Sequence, residues 1–154
     1  GGDRLPVTMG QCEPLIDGPD GLIIGCGSLA GSCLAAVEEL QKEGLNVGLI
    51  NARFIKPLDK DTLLKRIQMS PWVVSVEENT LQAGFGSAIL EAIHDAALQT
   101  GPIRRLGIPD QFIEHGDRAD LLSSLTLDAS GIADVCRELS GQTATAAVAA
   151  PLQD

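Results

Sequence analysis

The sequence predicts a three-layer α/β/α domain on a mostly parallel sheet of five strands. Two observations lead there. Four times along the chain an apolar run is followed by a stretch of helical period, the pattern of a parallel sheet with helices on both faces. The composition also fits. Hydrophobic residues make up 44% of the 154, aromatics only 3%, and Tyr is absent, so Val, Ile, Leu and Ala must build the core.

Taken in order, the first buried strand is "GLIIGCG". A helix over 29–43 follows, with Ser28 as a candidate N-cap and Gly44 just past its end. Leu29, Cys33, Leu34, Val37 and Leu40 form its apolar stripe. "NVGLINARF" is the next strand. "LDKDTLLKRI" is a short helix with Asp59 as its cap and Leu63, Leu64 and Ile67 inward. "PWVVSVEE" is the third strand, before a helix over 86–99 with Ile89, Ala92, Ile93, Ala96 and Ala97 inward. "PIRRLGI" is the fourth. Two closing helices start at Asp117 and Asp128, with Leu121, Leu122, Leu125 and then Ile132, Val135 and Leu139 inward. A further strand over Glu13–Ile16 pairs at an edge. Residues 1–20 are read as linker and edge strand and 21–140 as the domain. The small, polar, aperiodic stretch 141–154 is read as a disordered tail.

Bulk properties exclude several functions. A net charge of -10 argues against a nucleic-acid surface and against an anionic membrane. Gly25, Gly27, Ser28, Gly31 and Ser32 interrupt the uncharged stretch Leu22–Val37, which therefore reads as strand plus helix and not as a membrane span. The opening "GGDRLPVTMG" has no apolar signal region, and a first residue other than Met hints at a fragment or processed product. Cys12, Cys26, Cys33 and Cys136 form no C-x-x-C pair, and only His94 and His115 could complete a metal site. Reduced, buried thiols in a cytosolic protein fit best, and no metal site is expected.

Three segments at strand ends carry the candidate chemistry. "GCGSLA" (Gly25 to Ala30) fits the dinucleotide turn G-x-G-x-x-G/A, but the next strand ends in Asn51 and Arg53 where a ribose needs a carboxylate. A structural tight turn is the plainer reading. "EENTLQAGFGSA" (Glu77 to Ala88) places two carboxylates at a strand end before a Gly-rich loop and a helix. Ligands bind at such ends in open α/β sheets. A structural role is also open: one Glu could pair with Arg53 or cap the loop backbone, with Gly84 and Gly86 allowing positive φ or close packing. In "RFIKPLD", Arg53 and Lys56 are the anion contacts to weigh against solvated or ion-paired roles.

The third segment, "GIPDQFIEHGDRADLL", contains His115. A general acid-base role would need a nucleophile or an orienting carboxylate facing it. Glu114 and Asp117 are neighbours in sequence only. The sequence has no G-x-S-x-G elbow, no Cys with an activation signature and no Gly-Asp-Gly motif for a Mg2+-diphosphate. His115 is therefore read as shaping a loop, and His94 as a surface residue.

Together, "NARFIKPLD", "VVSVEENTLQAGFGSAILEAI", "RRLGIPDQFIEHGDRADLL" and "LDASGIA" resemble the C-terminal domain of the 1-deoxy-D-xylulose-5-phosphate synthase family. That family belongs to the transketolase-like, thiamine diphosphate-dependent superfamily. The likeness runs from about Gly21 to Leu139. The "GIPDQFIEHG" stretch selects the synthase within the superfamily. Two turns depart from the family pattern: Leu125-Thr126-Leu127-Asp128 stands for Leu-Gly-Leu-Asp, and Ala83-Gly84 for Gly-Gly.

The resemblance implies a transketolase C-terminal-like fold whose edge strand runs antiparallel. For the whole protein it implies a cytoplasmic transferase, or a plastid one in a plant. That enzyme condenses pyruvate with D-glyceraldehyde 3-phosphate, releases CO2 and feeds isoprenoid, thiamine and pyridoxal synthesis. Thiamine diphosphate and Mg2+ would be bound by preceding domains, so no catalytic, cofactor or metal residue is assigned to this chain. Arg53, Glu77, Glu78, Asn79, Gly84, Gly86, Asp110 and His115 are expected to shape loops or an interface. The expected partners are the preceding pyrimidine-binding domain and a second subunit in a homodimer, not nucleic acid or membrane. Two rival readings are the C-terminal half of a 2-oxoacid dehydrogenase β chain, which binds an acyltransferase, and a free-standing nucleotide-binding module.

Overall fold

The computed structural model describes residues 7–149, with side chains through Gly141. Five strands form one sheet in the order β1-β3-β2-β4-β5. They are β1 Glu13–Pro19, β2 Gly21–Cys26, β3 Val47–Asn51, β4 Val73–Thr80 and β5 Ile103–Ile108. β1 pairs antiparallel with β3, and the other three pairings are parallel. The helices are α1 Ala30–Lys42, α2 Lys60–Gln68, α3 Phe85–Asp95, α4 Arg118–Ser124 and α5 Ala129–Ala149. The predicted layers and the antiparallel edge strand are present.

Strand side chains alternate between two cores, as the two-residue period of a strand requires. Ile23, Leu49, Val74 and Val76 pack with Cys33, Val37 and Leu40 of α1 and Ile132, Cys136 and Leu139 of α5. Leu22, Ile24, Ile50 and Val73 pack on the opposite face with Leu63 and Ile67 of α2 and Phe85, Ile89 and Ile93 of α3. Burying each such side chain contributes roughly 1.5–3 kcal/mol. Outside the first core, Arg137 of α5 ties Glu39 of α1 and Glu43 just past its end, at 2.6 and 2.5 Å.

Asp59, Asp117 and Asp128 cap helices as their positions predict, accepting from the amides of Thr62, Ala119 and Gly131 at 3.2, 2.9 and 2.9 Å. Gly44 takes φ +85 after α1, and the Leu45 and Gly44 amides close back onto Leu40 and Gln41.

Several expectations change. Ser28 is not a cap: a 3-10 turn over Gly27–Leu29 precedes α1, Leu29 is the residue before the helix, and no side chain caps it. Leu34 is 39% exposed, because the core-facing stripe of α1 runs through Cys33, Ala36, Val37 and Leu40. Ala96 and Ala97 are exposed, because α3 ends at Asp95 and the chain turns at Ala97 with φ +49. The stretch read as disordered from 141 continues α5 to Ala149; it is rich in Ala, the best helix former. Residues 150–154 lie outside the described residues.

All four cysteines are free. Burial pushes the Cys33 and Cys136 thiols up to about 12, so both behave as core hydrophobes. Cys12 and Cys26 are only half-buried, short of the expected burial.

Gly21 sits where any larger residue would strike the Trp72 ring: a Cβ there would overlap the indole. Trp72 is fully buried, so the ring has no room to yield. Gly21→Ala is expected to destabilise the fold by about 1–3 kcal/mol, read as a lower urea midpoint with an unchanged slope.

Candidate functional site

The parallel strands deliver the candidate residues to one end of the sheet. β4 continues past its last apolar residue into Glu77, Glu78 and Asn79. The pleat turns Glu77 inward, where it is 2% exposed, and Glu78 outward; Asn79 is exposed at the strand end.

Glu77 is occupied within its own loop. One carboxylate oxygen accepts from the Phe85 amide at 2.6 Å and the other from the Gly86 amide at 2.8 Å. Both amides belong to the first turn of α3, which has no cap from its own Gly84. The carboxylate thus meets two orphan N–H groups and the positive end of the helix dipole. Glycine makes the approach feasible. A Cβ on Gly84 would overlap a Glu77 carboxylate oxygen and the Thr80 carbonyl. One on Gly86 would lie 2.8 Å from the Ser75 hydroxyl and 2.9 Å from Arg105 Cδ. One on Gly107 would lie 3.1 Å from Glu77 Cγ. Neither Gly84 nor Gly86 adopts positive φ, so close packing is the reason for glycine at both.

Arg105 closes the outer side of this loop. Its guanidinium donates to the Leu81 carbonyl at 2.7 Å and the Ser87 hydroxyl at 3.0 Å.

Glu78 points the other way and joins three segments. Arg118, first residue of α4, donates to both of its oxygens at 3.1 and 2.6 Å. The Ser28 hydroxyl, in the turn after β2, donates to the same carboxylate. Arg118 also reaches Ser28 at 3.3 Å. The Arg118 hydrogen bonds and then the Ser28 bond hold Glu78 below its ordinary value, and Glu78 in turn raises Arg118. This pair stands at the mouth of the "GCGSLA" turn, where a pyrophosphate would meet the Glu78 carboxylate.

Arg53 does not pair with Glu77 or Glu78. It sits at φ +56 after β3 and pairs with Glu13 of β1 at 2.6 Å, anchoring the edge strand. Asn79 turns back on its own strand end, accepting from the Thr80 amide at 2.8 Å. Asp110 and His115 are exposed on the loop between β5 and α4, and His94 is exposed in the last turn of α3. Next to that loop, a cavity of about 200 Å³ is lined by Ile108, Ile113, Leu121 and Leu125, with the Glu78–Arg118 pair at its edge.

The structure therefore brings Glu77, Gly84 and Gly86 together and keeps Arg53, Glu78 and the Asp110–His115 loop apart from them. Reading the sequence missed Arg118, Glu13 and Gly107. Arg118 carried one signal: it is the sole Lys or Arg between Arg105 and Arg137. Among the described residues, no three His, Cys, Asp or Glu side chains gather as metal ligands. With both Glu77 oxygens taken, these residues do not form a cradle for Mg2+ and a diphosphate.

Comparison with known proteins gives a consistent result. The family described as "Transketolase, C-terminal domain" matches residues 10–132. The 1-deoxy-D-xylulose-5-phosphate synthase of Rhodopirellula baltica is 42% identical over 137 residues, which cover 89% of this chain and 21% of that one. The synthase of Bacillus licheniformis is 46% identical over 119 residues, 77% of this chain and 19% of that one. The chain thus spans about a fifth of the length of these relatives. Among solved structures, a split-gene transketolase described as an inactive beta4 tetramer superposes with a TM-score of 0.81 at 24% identity, covering 89% of this chain and 44% of that one. A transketolase from Pichia stipitis superposes at 0.62 and 15% identity, over 84% of this chain and 18% of that one. At these identities the superpositions show the fold.

Glu77→Gln would leave one first-turn amide of α3 facing an NH2 group. It is expected to cost about 2–3 kcal/mol, read by urea unfolding. Gly84→Ala breaks the same contact from the other side, so the double variant should lose less than the sum of the two. Arg118→Leu is expected to raise the Glu78 titration toward the ordinary 4.5, followed by carboxyl NMR. The folded-state value is depressed, so Glu78 contributes stability above its unfolded value and loses it as pH falls through the folded one. Arg118→Leu should flatten that part of the acid-unfolding curve.

Proposed function

This chain belongs to the transketolase C-terminal domain family, and from that premise we propose that it is the C-terminal domain of a 1-deoxy-D-xylulose-5-phosphate synthase. The carrying observation is its 40–46% identity to synthases of several bacteria over most of its length. The whole enzyme joins pyruvate to D-glyceraldehyde 3-phosphate, releasing CO2 and giving 1-deoxy-D-xylulose 5-phosphate. Its product supplies isoprenoid, thiamine and pyridoxal synthesis. Thiamine diphosphate, bound with Mg2+, supplies the carbanion chemistry from domains outside this chain.

The geometry supports a packing role for this domain. Glu77, the carboxylate best placed at a strand end for a ligand, has both oxygens committed to the α3 amides. Glu78 and Arg53 are committed to Arg118 and Glu13. On this reading Arg53, Glu77, Glu78, Asn79, Gly84 and Gly86 set the shape of the strand-end loops. Asp110 and His115 lie on a loop offered to a neighbour: the preceding pyrimidine-binding domain or the second subunit of a homodimer. No helix among the described residues is long and apolar enough to cross a membrane.

The test is a synthase assay on the 154-residue chain beside the full product of its reading frame. Both receive pyruvate, glyceraldehyde 3-phosphate, thiamine diphosphate and Mg2+. The longer protein is expected to form product and the shorter chain to form none. Turnover by the 154 residues alone would overturn the packing role and return Glu78 and His115 to the catalytic candidates.

A further inference from the structure

We infer that the strand-C-terminal end of the sheet is the face on which the preceding part of the polypeptide seats, with the Phe112 ring as its anchor. This rests on the synthase reading, and it specifies which surface of the domain does the packing.

Three observations carry it. The first is where exposed apolar side chains gather. Phe112, on the loop after β5, is 91% exposed. Met9, Val7 and Ile55 are exposed at the same end of the sheet. The other large exposed apolar residues, Leu15, Leu34, Met69 and Leu90, are scattered over β1, α1, the end of α2 and α3. A fully exposed aromatic is the residue type that anchors interfaces, and its ring can bury on the order of 150 Å².

The second is where the chain arrives. β1 runs antiparallel to β3 with Glu13 opposite Asn51, so the polypeptide enters β1 at the C-terminal ends of the parallel strands. The entering segment is fixed there. The Cys12 amide donates to Asp59 at 3.0 Å, and a Cβ on Gly10 would lie 2.8 Å from Pro57 Cγ. The R. baltica synthase carries nearly four-fifths of its length outside the match. On the synthase reading, that body is tethered at this end.

The third is charge. Glu78 is paired with Arg118 and Arg53 with Glu13, and Asp117 caps α4. Covering this end would strand none of these charges, and an unpaired buried charge is what makes such a burial costly. Asp110, Glu114 and Asp120 lie on or just beyond the Phe112 loop. A second copy seated face to face would bring those carboxylates against their own kind, which favours a different body as the occupant.

Hydroxyl-radical footprinting of the full-length reading-frame product tests this, with synthase activity measured on the same sample. Met69 is 70% exposed and follows α2 at the opposite end of the sheet, so it serves as the internal reference. Phe112 and Met9 are expected to oxidise severalfold more slowly than their intrinsic reactivity predicts, while Met69 reacts freely. Free reaction of Phe112 in an active enzyme overturns the docking face and leaves the synthase reading standing. Protection of Phe112 in a protein without synthase activity does the reverse. Protection that disappears on dilution would identify a second copy as the occupant and overturn the inference.

Discussion

The buried contact between the Glu77 carboxylate and the first turn of α3 is the constraint on which the site end of this fold depends. It fixes β4 to α3 at the point where the chain leaves the sheet. A buried carboxylate is tolerated only when its oxygens are satisfied, and here two backbone amides satisfy them. The contact needs the loop backbone to lie within reach of a side chain on the strand. That requirement explains the glycines at 84 and 107, where a Cβ would press on Glu77 itself, and the one at 86, where it would press on Ser75 and Arg105. Arg105 then holds the outside of the loop through the Leu81 carbonyl.

The neighbouring charges follow from this arrangement. With Glu77 turned inward, the strand pleat turns Glu78 outward, and an outward carboxylate near the α4 start attracts Arg118. The fork of Arg118 spans both oxygens and reaches Ser28, so one guanidinium links β4, α4 and the turn after β2. As a partly exposed pair it adds little stability. Its effect is positional: it fixes the end of the Phe112 loop where α4 begins.

Much of the fold was legible in the sequence because burial on both faces writes itself as uninterrupted aliphatic runs, and aspartate caps mark helix starts. Asp59, Asp117 and Asp128 were readable for that reason. What was not legible depended on contacts between distant segments. The alternative of Glu77 capping its loop could be posed from the residues, but which of two adjacent glutamates turned inward depended on the strand pleat. Arg53 looked like a partner for those glutamates, yet β1 placed Glu13 beside it. Ser28 had the right residue type and position for a cap. The 3-10 turn moved the helix start to Ala30, leaving the hydroxyl free to bind Glu78. Ala96 and Ala97 fitted the helical period but lay beyond a helix that had already closed.

Open α/β sheets usually present their strand ends to a ligand, because helix N-termini and loop side chains converge there with unused hydrogen-bonding capacity. In this domain much of that capacity is spent internally. The α3 N-terminus is taken by Glu77, the Glu78 carboxylate by Arg118 and Ser28, the Arg53 guanidinium by Glu13, and Asp59 by the amides of Thr62 and Cys12. What such an end still offers is shape and apolar surface: the Phe112 ring, Ile55 and the entering Met9. Where the strand-end charges of Glu78, Arg53 and Asp59 are already paired, little is lost when water leaves, so that part of the end is better suited to receiving protein than to binding a small charged substrate. The same strand-end geometry that builds a binding site elsewhere in this fold class can build a packing face here.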